Sequence, residues 1–196
     1  MRIDDVGAAL LVGGASSRMG RDKARLPGPD DGVPLATRLA RRLDACFEEV
    51  LLVGGDPPPD APGRRVADVA GPRCALRGVV SALAASDRDR VLILATDLPF
   101  ASVDLLLALV AWPESDAVLA RDERGPQPLC AVYRREPALR AARERLEAGQ
   151  LALNGWLAVL QLELLAPDVQ LLLDPEGRAL TNWNTPEDVA RDREGG

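Results

Sequence analysis

Short apolar runs alternate with helical periods along this chain, and that alternation limits the possible folds more than any other feature. Gly7–Val12 (GAALLV) is a continuous apolar run that stops at Gly13-Gly14. Such a run predicts a strand buried on both faces, as in a parallel sheet. Leu35, Leu39 and Leu43 recur every four residues with Ala36 and Ala40 beside them. They predict an amphipathic helix entered through Pro34. EVLLVGG (49–55) reads as the second strand, and the proline-rich DPPPDAPG after it excludes regular structure. RRVAD supplies a short third strand, LRGVVSALAAS a helix, and RVLILATD (90–97) the clearest strand of all. SVDLLLALVAW follows as a helix with Ser102 as N-cap and Asp104 in its first turn. DAVLA and PLCAVY read as strands, and PALRAARERLEAG as an amphipathic helix ending at Gly149. VQLLLD and a last helix after Pro186 close the chain.

This rhythm predicts an α/β fold: a three-layer sandwich with a mostly parallel sheet and helices on both faces. With 196 residues, 47% of them hydrophobic, the chain suits one domain over 1–196. In open sheets of this kind, ligands bind at the carboxyl ends of the strands. Gly13-Gly14, Gly54-Gly55 and Asp97 all fall at such ends, so three loops distant in sequence are expected to share one crevice.

Composition removes several functions. The formal net charge of −6 argues against a nucleic-acid partner, so any anion must be held by a local cation cluster. The chain has no histidine, which excludes His-ligated zinc and Ser-His-Asp or Cys-His catalysis. Cys46, Cys74 and Cys130 are far apart and odd in number, and read as reduced thiols of a cytoplasmic protein. MRIDDVGAALLV has two acids ahead of a short apolar run, unlike a signal peptide or a membrane span.

The loop after the first strand is built for phosphate. Adjacent glycines let the backbone turn sharply and approach a ligand closely, and N–H groups with the Ser16 and Ser17 hydroxyls can face phosphate oxygens. Arg18, Arg21, Lys23 and Arg25 add positive charge. Neither common phosphate motif fits: Lys23 lacks the preceding glycine and following hydroxyl of a P-loop, and G-x-G-x-x-G is absent here.

The segment LVGGASSRMGRDKARL (11–26) resembles the L-x-G-G-x-S-x-R-M-G-x-D-K signature of the nucleotidyltransferases that make molybdenum cofactor dinucleotides, and most of all the molybdenum cofactor guanylyltransferase (MobA) family. The resemblance implies a Rossmann-like nucleotidyltransferase fold. It implies a nucleotide site at Leu11, Val12, Gly13, Gly14, Lys23, Asp68 and Asp97, with Arg18, Lys23 and Asp97 as catalytic groups. ATDLPF (95–100) is similar to the family's D-x-P-F, whose aspartate binds Mg²⁺, which makes Asp97 the metal ligand. The bottom-up reading agrees, since one strand-end carboxylate plus phosphates and waters is typical of Mg²⁺. Asp68 lies in RVADVAGP where the family has an aspartate that helps hold the nucleotide; the next segment, GPRCALRG, departs from the usual G-P-L-x-G.

Two further segments extend the likeness. PQPLCAVYRRE (126–136) resembles the P-L-x-A-x-Y segment beside the second substrate, pointing to Tyr133. TNWNTPEDVA (181–190) is similar to N-x-N-T-P-E-D, in which Thr185 and Pro186 can open a helix and Asn182 and Asn184 remain for the second substrate. Val12 stands where an alanine is usual and Trp183 where a small aliphatic is.

The implied reaction uses GTP and molybdopterin, with other molybdenum-cofactor proteins as candidate partners and neither nucleic acid nor membrane involved. The nucleophile is an anionic phosphate, so no histidine base is needed and catalysis is positioning plus charge neutralisation. A cytidylyltransferase of the same cofactor, another nucleotidyltransferase of this kind, and a non-catalytic nucleotide- or cofactor-binding adaptor are the alternatives. A sugar-nucleotide transferase would need a longer chain with an added acceptor lobe.

Overall fold

The computed structural model describes residues 2–13, 23–29, 32–112, 115–183, 185 and 187–190. The apolar runs form strands β1 (Val6–Leu11), β2 (Val50–Val53), β3 (Arg64–Val66), β4 (Arg90–Ala95), β5 (Ala117–Asp122), β6 (Gly125–Arg134) and β7 (Leu162–Leu164). The helical periods form α1 (Leu35–Cys46), α2 (Ala75–Ala85), α3 (Val103–Val110) and α4 (Arg135–Glu147), followed by the shorter α5 (Leu153–Leu157) and α6 (Pro167–Leu173).

One seven-stranded sheet results, in the order β3-β2-β1-β4-β6-β5-β7. The pairs β1–β2, β2–β3, β1–β4 and β5–β7 are parallel, and only β6 runs against its neighbours. The mostly parallel sheet is therefore as expected. Alternate residues of each strand feed two separate cores. Ala8, Leu10, Leu52, Leu92 and Leu94 pack with α1, α3 and Trp183 on one face. Ala9, Leu11, Leu51, Val91 and Ile93 pack with α2, α4 and Trp156 on the other. Because both faces are covered, β1, β2 and β4 beyond Arg90 carry no polar side chain rather than alternating.

The helices start as their local chemistry dictates. Ser102 caps α3 by accepting from the Leu105 N–H at 3.2 Å, with Asp104 in the first turn. α4 begins at Arg135, before the expected Pro137, because a proline in the first turn forfeits no intrahelical bond. Three features exceed the sequence reading: the edge strand β7, the short α5, and the helical state of the VQLLLD segment, which belongs to α6. β7 is only three residues long and exposed throughout, so it carries neither apolar continuity nor alternation.

The sheet order contains a switch. From β1 the chain moves outward to β2 and β3, then returns to β4 on the other side of β1. The loops leaving β1 and β4 lead into α1 and α3 on the same face, and the crevice at this switch is the usual ligand position in such sheets.

Candidate active site

Four strand ends build one wall of this crevice. β1 delivers Gly13, β2 delivers Gly54 and Gly55, β3 delivers Asp68, and β4 delivers Asp97. The first two ends touch backbone to backbone. The N–H groups of Val12 and Gly13 both donate to the Val53 carbonyl, at 2.9 and 3.2 Å. A Cβ on Gly13 would lie 2.8 Å from the Gly55 nitrogen, and one on Gly55 would lie 3.1 Å from the Gly13 Cα. Gly54 and Gly55 also carry φ of +67° and +59°, a left-handed turn that glycine takes without strain.

This packing corrects one detail of the expected loop. The Gly13 N–H is committed to Val53 and does not face a ligand; Gly13 is required for close approach instead. Leu11 and Val12 are likewise engaged in the fold. The Leu11 carbonyl accepts from the Thr96 N–H at 3.3 Å and from Thr96 Oγ1 at 2.6 Å, and its side chain is buried against α2. Val12 is buried in the opposite core, the one that holds Trp183. Gly14, Arg18 and Asn184 lie outside the described residues. Lys23 begins a short 3-10 turn, Lys23–Arg25, that leads back toward α1. Arg25 in that turn forms an ion pair with Asp56, just past the Gly54-Gly55 turn.

Asp68 and Asp97 are both partly buried. Asp68 sits against Gly54, whose added Cβ would fall 3.0 Å from each carboxylate oxygen. On its other side Arg77 Nη2 approaches Asp68 Oδ2 to 2.8 Å. Asp97 follows β4 directly, in a loop fastened at three points. Thr96 binds Leu11 as above, Arg42 Nη1 donates to the carbonyls of Pro99 and Ala101 at 2.9 and 2.8 Å, and the Trp183 N–H donates to the Asp97 carbonyl at 2.9 Å.

The last contact joins the tail to the Asp97 loop. Trp183 is fully buried and meets Phe100 edge to face, with centroids 5.8 Å apart, while the Arg178 guanidinium stacks on the other partner, 4.3 Å from the Phe100 centroid. The bulky Trp183 is thus an anchor for the tail, and Asn182 immediately precedes it in the chain. The Asn182 amide nitrogen donates to the Leu180 carbonyl at 3.3 Å. Thr185 and Asp188 form a reciprocal cap: Asp188 Oδ2 accepts from the Thr185 N–H at 2.8 Å, and Thr185 Oγ1 accepts from the Asp188 N–H at 3.2 Å. That arrangement starts the helical turn at 187–190 as a capping box does.

The structure does not bring Tyr133 to the crevice surface. It is wholly buried beside Trp156, with ring centroids 4.7 Å apart, and its hydroxyl donates to the Pro128 carbonyl at 2.7 Å. Burial pushes the phenol well above its ordinary range. It braces the irregular stretch of β6, where pairing with β5 shifts between Leu119 and Arg121. Residues absent from the sequence reading line a cavity of about 720 Å³ beside the tail: Arg121 and Arg124 at the β5–β6 turn, and Gln170 on α6, together with Asn182 and Asp188. Gln170 exchanges two bonds with the Arg121 backbone, as a neighbouring strand would. No sequence period announces this pairing, because it links segments 49 residues apart.

Among the described residues no group of three or more Cys, Asp or Glu side chains could hold a metal ion. Among the described residues, the carboxylates that follow β3 and β4 are Asp68, which pairs with Arg77, and Asp97. A donor set of one carboxylate fits Mg²⁺, which takes its remaining ligands from phosphate and water, and does not fit a closed zinc or calcium cage. No described helix is long and apolar enough to cross a membrane.

A family profile described as the MobA-like NTP transferase domain matches residues 8–160. A protein of Chloroflexus aggregans named probable molybdenum cofactor guanylyltransferase is 37% identical over 187 residues, covering 92% of this chain and 89% of its own length. A protein of the same name from Nostoc sp. is 33% identical, with 96% and 90% covered. Among solved structures, the molybdopterin-guanine dinucleotide biosynthesis protein A of Archaeoglobus fulgidus superposes with a TM-score of 0.81 at 23% identity, covering 96% of this chain and 97% of that one.

Proposed function

The chain belongs to the MobA-like NTP transferase family, and from that premise we propose that it transfers GMP from GTP to molybdopterin, yielding molybdopterin guanine dinucleotide and pyrophosphate. The observation that supports the reading is the docking of Trp183 onto the Asp97 loop, which joins the tail that carries Asn182 to the loop that follows β4.

The nucleotide occupies the wall made by β1 to β4. Gly13 and Gly14 admit the triphosphate, Leu11 and Val12 support that turn, and Asp68 receives donors of the nucleoside. Arg18 and Lys23 neutralise the phosphates. Asp97 holds Mg²⁺, which when bound supplies positive charge to the phosphate oxygens. A terminal phosphate oxygen of molybdopterin attacks the α-phosphorus of GTP; a P–O bond to that oxygen forms and the bond to the bridging α–β oxygen breaks. The departing pyrophosphate takes the electron pair, and because the attacking phosphate oxygen is already anionic no proton need be removed from it. The protein contributes in-line placement and charge. Asn182 and Asn184 meet the acceptor, whose pterin carries N–H groups, and the cavity lined by Arg121, Arg124 and Gln170 suits a polar, anionic heterocycle. Tyr133 acts from behind, by fixing the Pro128 bulge. The whole of 1–196 works as one nucleotidyltransferase domain in the cytoplasm, with other molybdenum-cofactor proteins as partners.

The test is pyrophosphate release and dinucleotide mass with molybdopterin and either GTP or CTP. GTP is expected to be used and CTP not; a preference for CTP overturns the guanylyl assignment. Lys23→Ala and Asp97→Ala should each lower turnover by about a hundredfold or more with the fold intact. Full activity in both removes the site from this crevice.

A further inference from the structure

Arg77 lies in the segment that departs from the family pattern, and its side chain is spent on the nucleotide wall. From the first turn of α2, Nη2 meets Asp68 Oδ2 at 2.8 Å while Nη1 donates to the Gly71 carbonyl at 3.1 Å. The two side chains are only 20% and 25% exposed, so the pair is far better shielded from water than an ordinary surface ion pair. A second tie runs parallel to it: Ser81 Oγ accepts from the Val69 N–H at 2.9 Å and donates to the Arg77 carbonyl at 2.8 Å. The β3–α2 connection is therefore clamped onto α2 at both Asp68 and Val69.

The clamp has a direction. Asp68 is held between Arg77 and the Gly54 backbone, where both carboxylate oxygens would touch any Cβ. Gly54 and Gly55 in turn abut Gly13. Meanwhile Arg77 Nε is buried with no hydrogen-bond partner among the described residues. A buried donor left unsatisfied is unfavourable, so the guanidinium keeps this pose because of what its two terminal nitrogens hold.

We infer that Arg77 is a positioning residue for the nucleotide: by engaging Oδ2 it fixes the Asp68 carboxylate against Gly54 and leaves Oδ1 as the single acceptor presented to the bound nucleoside. The inference rests on the proposed role of Asp68 in the nucleotide wall. An unrestrained carboxylate could rotate and would have to be ordered at each binding event, so loss of Arg77 weakens nucleotide binding without touching the transfer step.

The experiment measures pyrophosphate release against GTP concentration, at saturating molybdopterin, for wild type, Arg77→Met, Arg77→Lys, Asp68→Asn and the Asp68→Asn/Arg77→Met double variant, with unfolding midpoints alongside. Arg77→Met is expected to raise KM for GTP about tenfold with kcat within about twofold. Arg77→Lys, which keeps the charge but not the fork, should recover part of that loss. Asp68→Asn should raise KM, and adding Arg77→Met to it should change little more, because the two act as a unit. If Asp68→Asn raises KM and Arg77→Met does not, Arg77 positions nothing and the role of Asp68 stands. If Asp68→Asn leaves KM unchanged, the role of Asp68 falls and the inference with it. An Arg77→Met effect as large in the Asp68→Asn background as in wild type also overturns it, by showing that Arg77 acts through packing. Should Arg77→Met not fold, Arg77→Gln and Arg77→Lys carry the same comparison.

Discussion

Replacing Gly13 by alanine tests the contact on which the nucleotide wall depends. The added methyl would sit 2.8 Å from the Gly55 nitrogen, 3.2 Å from the Gly54 carbonyl carbon and 3.3 Å from the Gly54 Cα, whereas ordinary contact begins near 3.4 Å. All three neighbours are backbone, so no side chain can swing away. The ends of β1 and β2 must therefore part by about 0.6 Å, against the two bonds from Val12 and Gly13 to Val53. Gly13 does not have positive φ, so the penalty is steric overpacking, roughly 1–3 kcal/mol. For a chain of this size that lowers the unfolding midpoint by about 2–12 °C. KM for GTP should rise as well. Gly78→Ala is the matched control: it lies inside α2, and its new methyl would meet only Leu11 methyl groups at 3.6 and 3.8 Å. It should gain up to about 1 kcal/mol of helix propensity. Thermal unfolding and GTP titration of the two variants decide the matter. An unchanged midpoint and KM in Gly13→Ala, or equal destabilisation in both, refutes the close-approach reasoning.

Two other perturbations have defined outcomes. Trp183→Ala removes a fully buried indole from the Phe100 contact, a loss of about 3–5 kcal/mol in tail docking, and should lower turnover while speeding tryptic cleavage after Arg178; wild-type turnover and cleavage would separate the tail from the site. Burial pushes the Cys130 thiol from about 9 to about 12. The folded state thus keeps a proton that the unfolded chain releases, and the associated stability is complete below about pH 9 and is lost as pH rises toward 12, by up to about 1.4 kcal/mol per unit. Denaturant titrations from pH 8 to 11 should show that fall in wild type and a shallower one in Cys130→Ala; identical slopes would contradict it.

Where burial and sequence pattern coincide, the fold was legible. β1, β2 and β4 lie between two helical layers and, apart from Arg90 at the start of β4, are apolar, so their positions and direction followed from the runs and their connections. The same cue misleads at α6, where Leu171 and Leu172 are apolar yet 64% and 79% exposed. At the site, Gly13, Gly54-Gly55 and Asp97 follow strands and could be placed together from the topology alone, whereas the family resemblance is what points to Asp68. What escaped was long-range pairing. The bond from Tyr133 to Pro128 depends on an irregularity in β6, the contact of Arg77 with Asp68 on how α2 folds back over β3, and the Arg121–Gln170 exchange on an edge the sequence does not mark. A lone tyrosine in a family-like segment therefore suggested a ligand contact, while its hydroxyl is satisfied inside the protein.

The reversed strand β6 divides the crevice by how its parts are connected. On one side the loops after β1, β3 and β4 each lead into a crossover helix, so their lengths are coupled to the helix that must cover the sheet. On the other side β5 and β6 meet in a two-residue turn between Asp122 and Gly125 that hangs free of any crossover. Insertions there can lengthen or reshape the cavity lined by Arg121 and Arg124 without moving β1, β2 or β4. A scaffold of this kind can keep one nucleotide grip and exchange the molecule that receives it, which makes the hairpin tip the natural place to graft a new acceptor preference.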